Sequence, residues 1–175
     1  TGAPVEQLAF EEVDYWDELV GIMDYAKKHV HATLYICWGA QAGLYHHYGI
    51  PKYGLPHKLS GIFSHTINDP TNQLFRGFDD VFHAPHSRHT EVRGEDIAKI
   101  PTLEILAESD EAGVLVAGTL DGRSMFITGH LEYDRDTLDA EYRRDVAKGM
   151  EIAPPAHYYP GDDVTRPPLV SWRAH

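Results

Sequence analysis

A short apolar run that leads into a cysteine and then into a helix-forming segment constrains the fold of this chain more than any other feature. Residues 33–36 read Thr-Leu-Tyr-Ile, a β-branched and aromatic run typical of a short buried strand. Cys37 follows directly, and residues 38–48 contain small and helix-forming side chains. A cysteine at a strand-to-helix turn lies at the positive end of a helix dipole, which favours its thiolate form. The nucleophiles of α/β-hydrolases occupy the same kind of turn.

The same cysteine has a simpler interpretation, and these residues alone leave it open. Cys37 is the only cysteine among 175 residues, and a lone intracellular cysteine is commonly a small buried hydrophobic residue. A catalytic cysteine also requires a general base and a group that orients that base. One cysteine excludes an internal disulfide and fits a reducing compartment, so we expect a cytoplasmic protein.

His130 and Glu132 are the candidates for the base and its orienting group. Residues 125–128 predict a strand, and His130 follows that strand after Gly129, where ligand sites form in α/β proteins. In an extended chain, residues two apart point the same way, so Glu132 would orient His130 and stabilise its imidazolium. Cys37, His130 and Glu132 would then form a nucleophile–base–carboxylate triad. The alternative is a surface histidine beside a solvated acidic turn.

The order of the predicted elements and the charge balance define the class of protein. Residues 11–30 and 135–149 predict helices, and strands dominate the middle of the chain, so the pattern predicts an α/β sandwich with antiparallel insertions. The formal net charge of −12 argues against nucleic acid as the main partner. No apolar run approaches the roughly 18 residues of a membrane span, so we expect no membrane partner.

Two further groups of polar residues have competing interpretations. Residues 83–89 carry three histidines at spacings of three, but Pro85 blocks a regular helix, so we discount a metal site and expect none. Ser87 and Arg88, which we expect in a loop, better suit substrate contact. Arg143–Arg144 would either hold a carboxylate through a bidentate fork or form salt bridges with Glu141 and Asp145 along a helix. Glycine-rich phosphate-binding motifs are absent from the sequence, which weakens nucleotide-binding interpretations.

Six ordered segments carry a resemblance to a known enzyme family across nearly the whole chain. They are residues 36–42, 48–52, 76–80, 84–88, 103–108 and 128–134. Together they resemble the homoserine O-succinyltransferase/O-acetyltransferase family of methionine biosynthesis. The resemblance implies a class I glutamine amidotransferase-like fold, with a mostly parallel sheet flanked by helices in a flavodoxin-like three-layer sandwich. It implies one α/β catalytic domain over residues 1–175, with a family N-terminal portion and a short C-terminal segment lying outside this sequence.

The resemblance also assigns roles to individual residues. Cys37 would be the acyl-thioester nucleophile, His130 the general base and Glu132 its carboxylate partner. The backbone N–H of Trp38 would supply one oxyanion-hole donor. The residues at the family's homoserine-contact positions are Lys58, Ser87 and Arg144. The implied protein is a homodimer that uses no metal or other cofactor. The family's proline between base and carboxylate is replaced by Leu131.

Glu6 bears on the choice of acyl donor. In the family, glycine in this segment accompanies succinyl-CoA and glutamate accompanies acetyl-CoA, so we expect acetyl-CoA as the donor and L-homoserine as the acceptor. A carboxylate at this position would repel the carboxylate of a succinyl group. L-Serine remains an alternative acceptor, since one methylene is worth only about 1–3 kcal/mol in a pocket. Succinyl transfer to homoserine is the alternative donor reaction.

Two other functional classes are alternatives to an acyltransferase. A glutamine amidotransferase or cysteine peptidase would use the same triad on the same fold. Amidotransferases usually carry Gly-x-Cys-x-Gly at this turn, whereas Tyr35 stands here at the position of the first glycine. That difference favours acyl transfer. The third possibility is a binding module that keeps the fold without catalysis.

Overall fold

A central sheet of six strands organises the structure, a computed structural model that describes residues 3–173. In chain order the strands are β1 (Thr33–Ile36), β2 (Tyr53–Ile67), β3 (Val81–Glu91), β4 (Leu103–Ser109), β5 (Gly113–Thr119) and β6 (Ser124–Ile127). Across the sheet their order is β1-β6-β5-β4-β2-β3. The first and last short strands of the chain therefore lie side by side at one edge.

The described residues also form helices between and after these strands. The α-helices are α1 (Trp16–His29), α2 (Trp38–Tyr48), α3 (Gly94–Ile97) and α4 (Thr137–Ala147). Short 3-10 turns occupy Phe10–Glu12, Gln73–Phe75 and Pro160–Asp162. α1 is shorter than the helix predicted over residues 11–30, because a 3-10 turn precedes it. None of the helices within residues 3–173 is both long and apolar enough to cross a membrane.

The sheet is mixed, which corrects one part of the expected fold. β1 and β6 pair in parallel, from Thr33 opposite Ser124 to Ile36 opposite Ile127. The other four strand pairs are antiparallel. The α/β class is confirmed, but a mostly parallel sheet is not what residues 3–173 form. The physical reason is that short turns join β4 to β5 and β5 to β6, and such turns can connect only antiparallel neighbours.

α2 packs directly on the edge of the sheet that carries the parallel pair. Gly43 makes this close approach possible, since a Cβ atom there would lie 2.9 Å from ring atoms of both Tyr35 and Phe126. Those two rings stack with centroids 4.9 Å apart, one on β1 and the other on β6. β5 lies deeper in the sheet and is buried continuously over residues 114–118, as expected for a strand covered on both faces.

Candidate active site

Cys37 occupies a strained turn between β1 and α2. Its backbone has φ 54° and ψ −122°, and a positive φ is uncommon for a residue other than glycine. The Cys37 N–H donates to the carbonyl of Ile127 on β6 at 2.7 Å, and the Cys37 carbonyl accepts from Ala40 and Gln41 in the first turn of α2. These bonds hold a conformation that costs about 1–3 kcal/mol, a kind of strain that clusters at functional sites.

The parallel pairing of β1 and β6 brings His130 to Cys37. Parallel strands end at the same edge of a sheet, so residues that follow β1 and β6 become neighbours. The ring of His130 forms a hydrogen bond with the Cys37 side chain. The backbone N–H of His130 donates to the carbonyl of Pro85 on β3 at 2.8 Å. His130 is 5% exposed, so the ring is held almost entirely inside the protein.

Glu132 orients the ring of His130. Its Oε1 lies 2.7 Å from His130 Nδ1. Because a carboxylate only accepts, Nδ1 carries the proton and Nε2 is the nitrogen available to Cys37. The Tyr133 N–H donates to the His130 carbonyl at 3.1 Å. This turn sets Glu132 beside the ring although Leu131 replaces the family proline.

The protonation of His130 reflects both neighbours. Burial lowers the pKa of His130, but hydrogen bonds to Cys37 and Glu132 and the negative charges on both outweigh it and raise this pKa from 6.5 to about 9. Burial raises the pKa of Glu132, while the hydrogen bond from His130 and its own backbone lower it below the usual value. The arrangement therefore favours the imidazolium form of His130 at neutral pH, between Cys37 and Glu132.

Trp38 begins α2 immediately after the candidate nucleophile. The backbone N–H groups at the start of a helix have no partner within the helix, so the N–H of Trp38 is available to a developing oxyanion. Its indole is buried against Phe10 and Tyr15, with ring centroids 5.8 and 6.1 Å away. This packing fixes the first residue of α2 beside Cys37.

Lys58, Ser87 and Arg144 come together around two acidic residues of α4. Lys58 Nζ lies 2.9 Å from Asp145 Oδ2 and 3.8 Å from Glu141 Oε2. Ser87 Oγ donates to Glu141 Oε2 at 2.5 Å, and Arg144 Nε donates to Asp145 Oδ1 at 2.8 Å. We call these five residues the acceptor cluster. The spacing of the sequence indicated Glu141 and Asp145 only as an ordinary salt-bridge face, whereas the structure makes them the centre of this cluster.

Tyr133 is a residue that the sequence did not single out. Its hydroxyl donates to Glu141 Oε1 at 2.8 Å, and its ring stacks on the His130 ring with centroids 4.2 Å apart. Burial and the carboxylate of Glu141 raise the pKa of Tyr133 well above 10, so its hydroxyl stays protonated as a donor. Its place three residues after the base, in an acidic turn, gave no sequence signal of this role.

Glu6 lines a cavity of about 420 Å³ beside the C-terminal end of β3. The cavity is bounded by residues 6–9, Lys52, residues 54–55, His89 and Thr90. Glu6 Oε2 accepts a hydrogen bond from the His89 N–H at 2.5 Å, and Lys52 Nζ donates to the Glu6 carbonyl at 2.6 Å. The carboxylate is thus fixed in one position and gives the wall of this cavity a negative charge.

The histidines of residues 83–89 do not converge on one point. They lie on β3, where alternate side chains face opposite sides, so His86 points away from His83 and His89. Within the described part of the chain, the one group of three potential metal ligands comprises Asp24, His46 and His47, with ligand atoms within 4.8 Å of one another. Asp24 Oδ1 already lies 2.7 Å from His46 Nε2. A histidine–carboxylate hydrogen bond therefore accounts for that group.

Solved structures with the same architecture define the class of fold. A glutamine amidotransferase from Thermotoga maritima superposes with a TM-score of 0.68 at 17% identity, over 87% of this chain and 64% of that chain. A glutamine amidotransferase from Methylobacillus flagellatus gives a TM-score of 0.67 at 13% identity, over 99% of this chain and 65% of that chain. The expected class I glutamine amidotransferase-like fold is confirmed.

The sequence identifies the family within this fold. Residues 1–175 match the family model described as homoserine O-succinyltransferase, and the chain belongs to that family. It is 62% identical to homoserine O-acetyltransferase of Brevibacillus brevis and 61% identical to the enzyme of the same name from Geobacillus kaustophilus, over all of this chain. The chain spans 57% and 58% of the length of these two relatives.

Proposed function

We propose that the protein of which this chain forms part transfers an acetyl group from acetyl-CoA to the hydroxyl of L-homoserine, in methionine biosynthesis, through a thioester on Cys37. The observation that carries the proposal is the buried Cys37 on a positive-φ turn, hydrogen-bonded to His130, whose other ring nitrogen lies 2.7 Å from Glu132. Relatives at about 60% identity named homoserine O-acetyltransferase support the donor and the acceptor.

In the first half-reaction the Cys37 thiolate attacks the thioester carbonyl of acetyl-CoA. The backbone N–H of Trp38 donates to the oxyanion that forms. The bond between the acyl carbon and the CoA sulfur then breaks, and the His130 imidazolium gives its proton to the departing sulfur. The products are acetyl-Cys37, neutral His130 and free CoA.

In the second half-reaction neutral His130 accepts the proton of the homoserine hydroxyl through Nε2. The alkoxide oxygen attacks acetyl-Cys37, and Cys37 leaves as a thiolate. Glu132 stabilises the imidazolium formed at this step, since it accepts from Nδ1. The thiolate–imidazolium pair is thereby restored for the next cycle.

The acceptor cluster supplies complementary charges for an amino acid. Arg144 is 54% exposed and holds Asp145 through one edge, so its remaining N–H groups are positioned to bind the substrate carboxylate as a fork. Lys58 and Ser87, held by Asp145 and Glu141, add further polar groups for the amino acid. L-Serine is the alternative acceptor that such groups would also bind.

Glu6 supports acetyl-CoA over succinyl-CoA as the donor. Its carboxylate is fixed by His89 and faces a cavity, where it would oppose a second carboxylate on the acyl group. The net charge of −12 supports a protein that binds neither nucleic acid nor an anionic surface. We further propose a cytoplasmic homodimer that acts without a metal or other cofactor.

Mass spectrometry of the full-length protein tests the reaction. Incubation with acetyl-CoA should add one acetyl group to Cys37, and L-homoserine should remove it faster than L-serine. Cys37→Ser and His130→Asn variants are the controls and should carry no acetyl thioester. An unmodified Cys37 in the wild-type protein would contradict the proposal. Ammonia released from glutamine would instead indicate the amidotransferase class, and an inert thiol would indicate a binding module.

A further inference from the structure

Arg88 carries a positive charge into the interior of the protein beside the candidate site. It lies on β3 next to Ser87 and is 2% exposed. Within residues 3–173, no carboxylate oxygen lies within 4 Å of its guanidinium nitrogens. Burying a cation without a paired anion is strongly unfavourable, so the position of this charge requires an explanation.

Neutral groups satisfy the hydrogen bonds of the guanidinium without compensating its charge. Nη1 donates to the carbonyl of Thr90 at 2.7 Å, and Nη2 donates to the carbonyl of Ala112 at 2.5 Å. Nε donates to Nδ1 of His86 at 3.4 Å. Three hydrogen bonds therefore hold the Arg88 guanidinium in one orientation. Its full positive charge remains available to a neighbouring anion.

A buried pair of histidines fixes the contact between Arg88 Nε and His86 Nδ1. His86 and His65 are both 0% exposed, with their Nε2 atoms 3.1 Å apart. Burial lowers the pKa of His65 to about 4 and the pKa of His86 well below 6.5, so both rings are neutral. Because Arg88 only donates, His86 accepts at Nδ1 and donates from Nε2 to His65. His65 then keeps its proton on Nδ1.

Hydrogen bonds through Thr90 and Gln41 connect this cation to the turn that carries Cys37. The Thr90 carbonyl that accepts from Arg88 also accepts from Gln41 Nε2 at 3.1 Å. Gln41 in turn donates its backbone N–H to the Cys37 carbonyl at 3.2 Å. Burial lowers the pKa of Arg88, and the negative charges of Glu91, Cys37 and Glu6 oppose that shift.

The charged and titratable groups around Cys37 come from β3 and from the segment after β6. Beyond β6 they are His130, Glu132 and Tyr133. From β3 the group is Arg88, and the first turn of α2 contributes no acidic residue. Arg88 is the one of these groups that is a cation at every working pH.

We infer that Arg88 is a positioning residue for the proposed reaction: a fixed, buried cation that stabilises the thiolate of Cys37 both as the attacking and as the leaving group. The inference rests on the proposed role of Cys37 as nucleophile. His130 gains and loses its proton during the cycle, whereas Arg88 keeps its charge throughout. Thr90, Ala112 and His86 hold that charge in place.

The rate at which iodoacetamide alkylates Cys37, followed against pH in the full-length protein with peptide mapping, tests this inference. Thiolate attacks the reagent and iodide leaves, so the rate reports the thiolate fraction. We expect Arg88→Met and Arg88→Gln to move the midpoint of the profile up by about one pH unit, which slows alkylation about tenfold on its acid side. Arg88→Lys should retain most of the wild-type profile.

Arg93→Met is the matched control, because it removes a 48% exposed arginine from the segment after β3. Its profile should equal that of the wild type. Folded neutral variants at position 88 with an unchanged profile would overturn the inference, as would an equal shift in Arg93→Met. Neutral variants that fail to fold would assign Arg88 a purely structural role and overturn it as well. The readout needs no acetyl transfer, so a failure of the proposed function is recognised separately.

Discussion

The phenol ring of Tyr133 lies nearly flat against the imidazole of His130, with centroids 4.2 Å and planes 18° apart. The hydroxyl of the same tyrosine donates to Glu141 at 2.8 Å, and Glu141 also accepts from Ser87. One aromatic side chain thus connects the candidate general base to the acceptor cluster. This contact predicts that the two parts of the site respond together to substitution.

Tyr133→Phe should keep the stack on His130 and lose only the hydrogen bond to Glu141. Hydrogen bonds to charged groups contribute about 1.5–3 kcal/mol, so we expect the free energy of unfolding to fall by about 2 kcal/mol. Urea denaturation measures this change. Tyr25→Phe is the control, since Tyr25 is 63% exposed and should change stability by less than about 0.5 kcal/mol. Equal losses in the two variants would contradict the role of Glu141.

His130 should make stability depend on pH. Its pKa is about 9 in the folded protein against an ordinary value of 6.5, so the folded state binds more protons between these values. This stabilisation is complete below about pH 6.5 and is lost as the pH rises through about 9, an effect on the order of 3 kcal/mol. Urea denaturation between pH 6 and about 10 measures it. A His130→Gln variant should lose this part of the pH dependence, and an unchanged slope would argue against it.

Gly61 should not tolerate a side chain. Its φ is +150°, and a Cβ atom there would lie 2.4 Å from the carbonyl oxygen of Ala156. That carbonyl accepts from Ile62 at 2.9 Å, so it is held in place. Gly61→Ala should lower the free energy of unfolding by about 3 kcal/mol. Gly54→Ala on the same strand meets nothing within 4 Å and should change stability far less. Similar midpoints for both variants would refute this reading.

Glu6→Gly should change the preference for the acyl donor in the full-length protein. Removing the fixed carboxylate should raise turnover of succinyl-CoA relative to acetyl-CoA by about tenfold or more, where tenfold corresponds to about 1.4 kcal/mol. Steady-state rates with the two donors measure the ratio. Glu6→Gln keeps the size of the side chain and removes its charge. It therefore separates the effect of charge repulsion on the succinyl carboxylate from the effect of the room that the side chain occupies. A wild-type protein that prefers succinyl-CoA would rule out the assigned role of Glu6.

The turn around Cys37 could be predicted from sequence because its signals are local. Residues 33–36 were expected as a strand and residues 38–48 as a helix, and the structure gives β1 and α2 with those bounds. The contact between His130 and Glu132 was also predicted, but for a different reason: the prediction assumed an extended chain, whereas residues 130–133 form a turn. Both predictions depend on neighbours within a few residues.

Features that depend on distant contacts could not be predicted in this way. Antiparallel insertions were predicted, but the order of the strands across the sheet follows from distant contacts, which a pattern of apolar residues does not record. Ser87 and Arg88 were expected in a loop, yet they lie within β3, whose Pro85 faces the turn of His130. The burial of Arg88 could not be predicted, because it depends partly on the carbonyl of Ala112, which lies 24 residues further along the chain.

The parallel register of β1 and β6 determines whether the Cys37 thiol becomes reactive as the chain folds. Ile36 pairs with Ile127, and the next residue along β1, Cys37, bonds the carbonyl of that same Ile127. A slip of one residue would move the sulfur along the strand by about 3.3 Å, beyond the reach of the imidazole. Misregistered chains would therefore carry an ordinary, unactivated thiol. The reactivity of Cys37 therefore reports whether β1 and β6 have paired in the correct register.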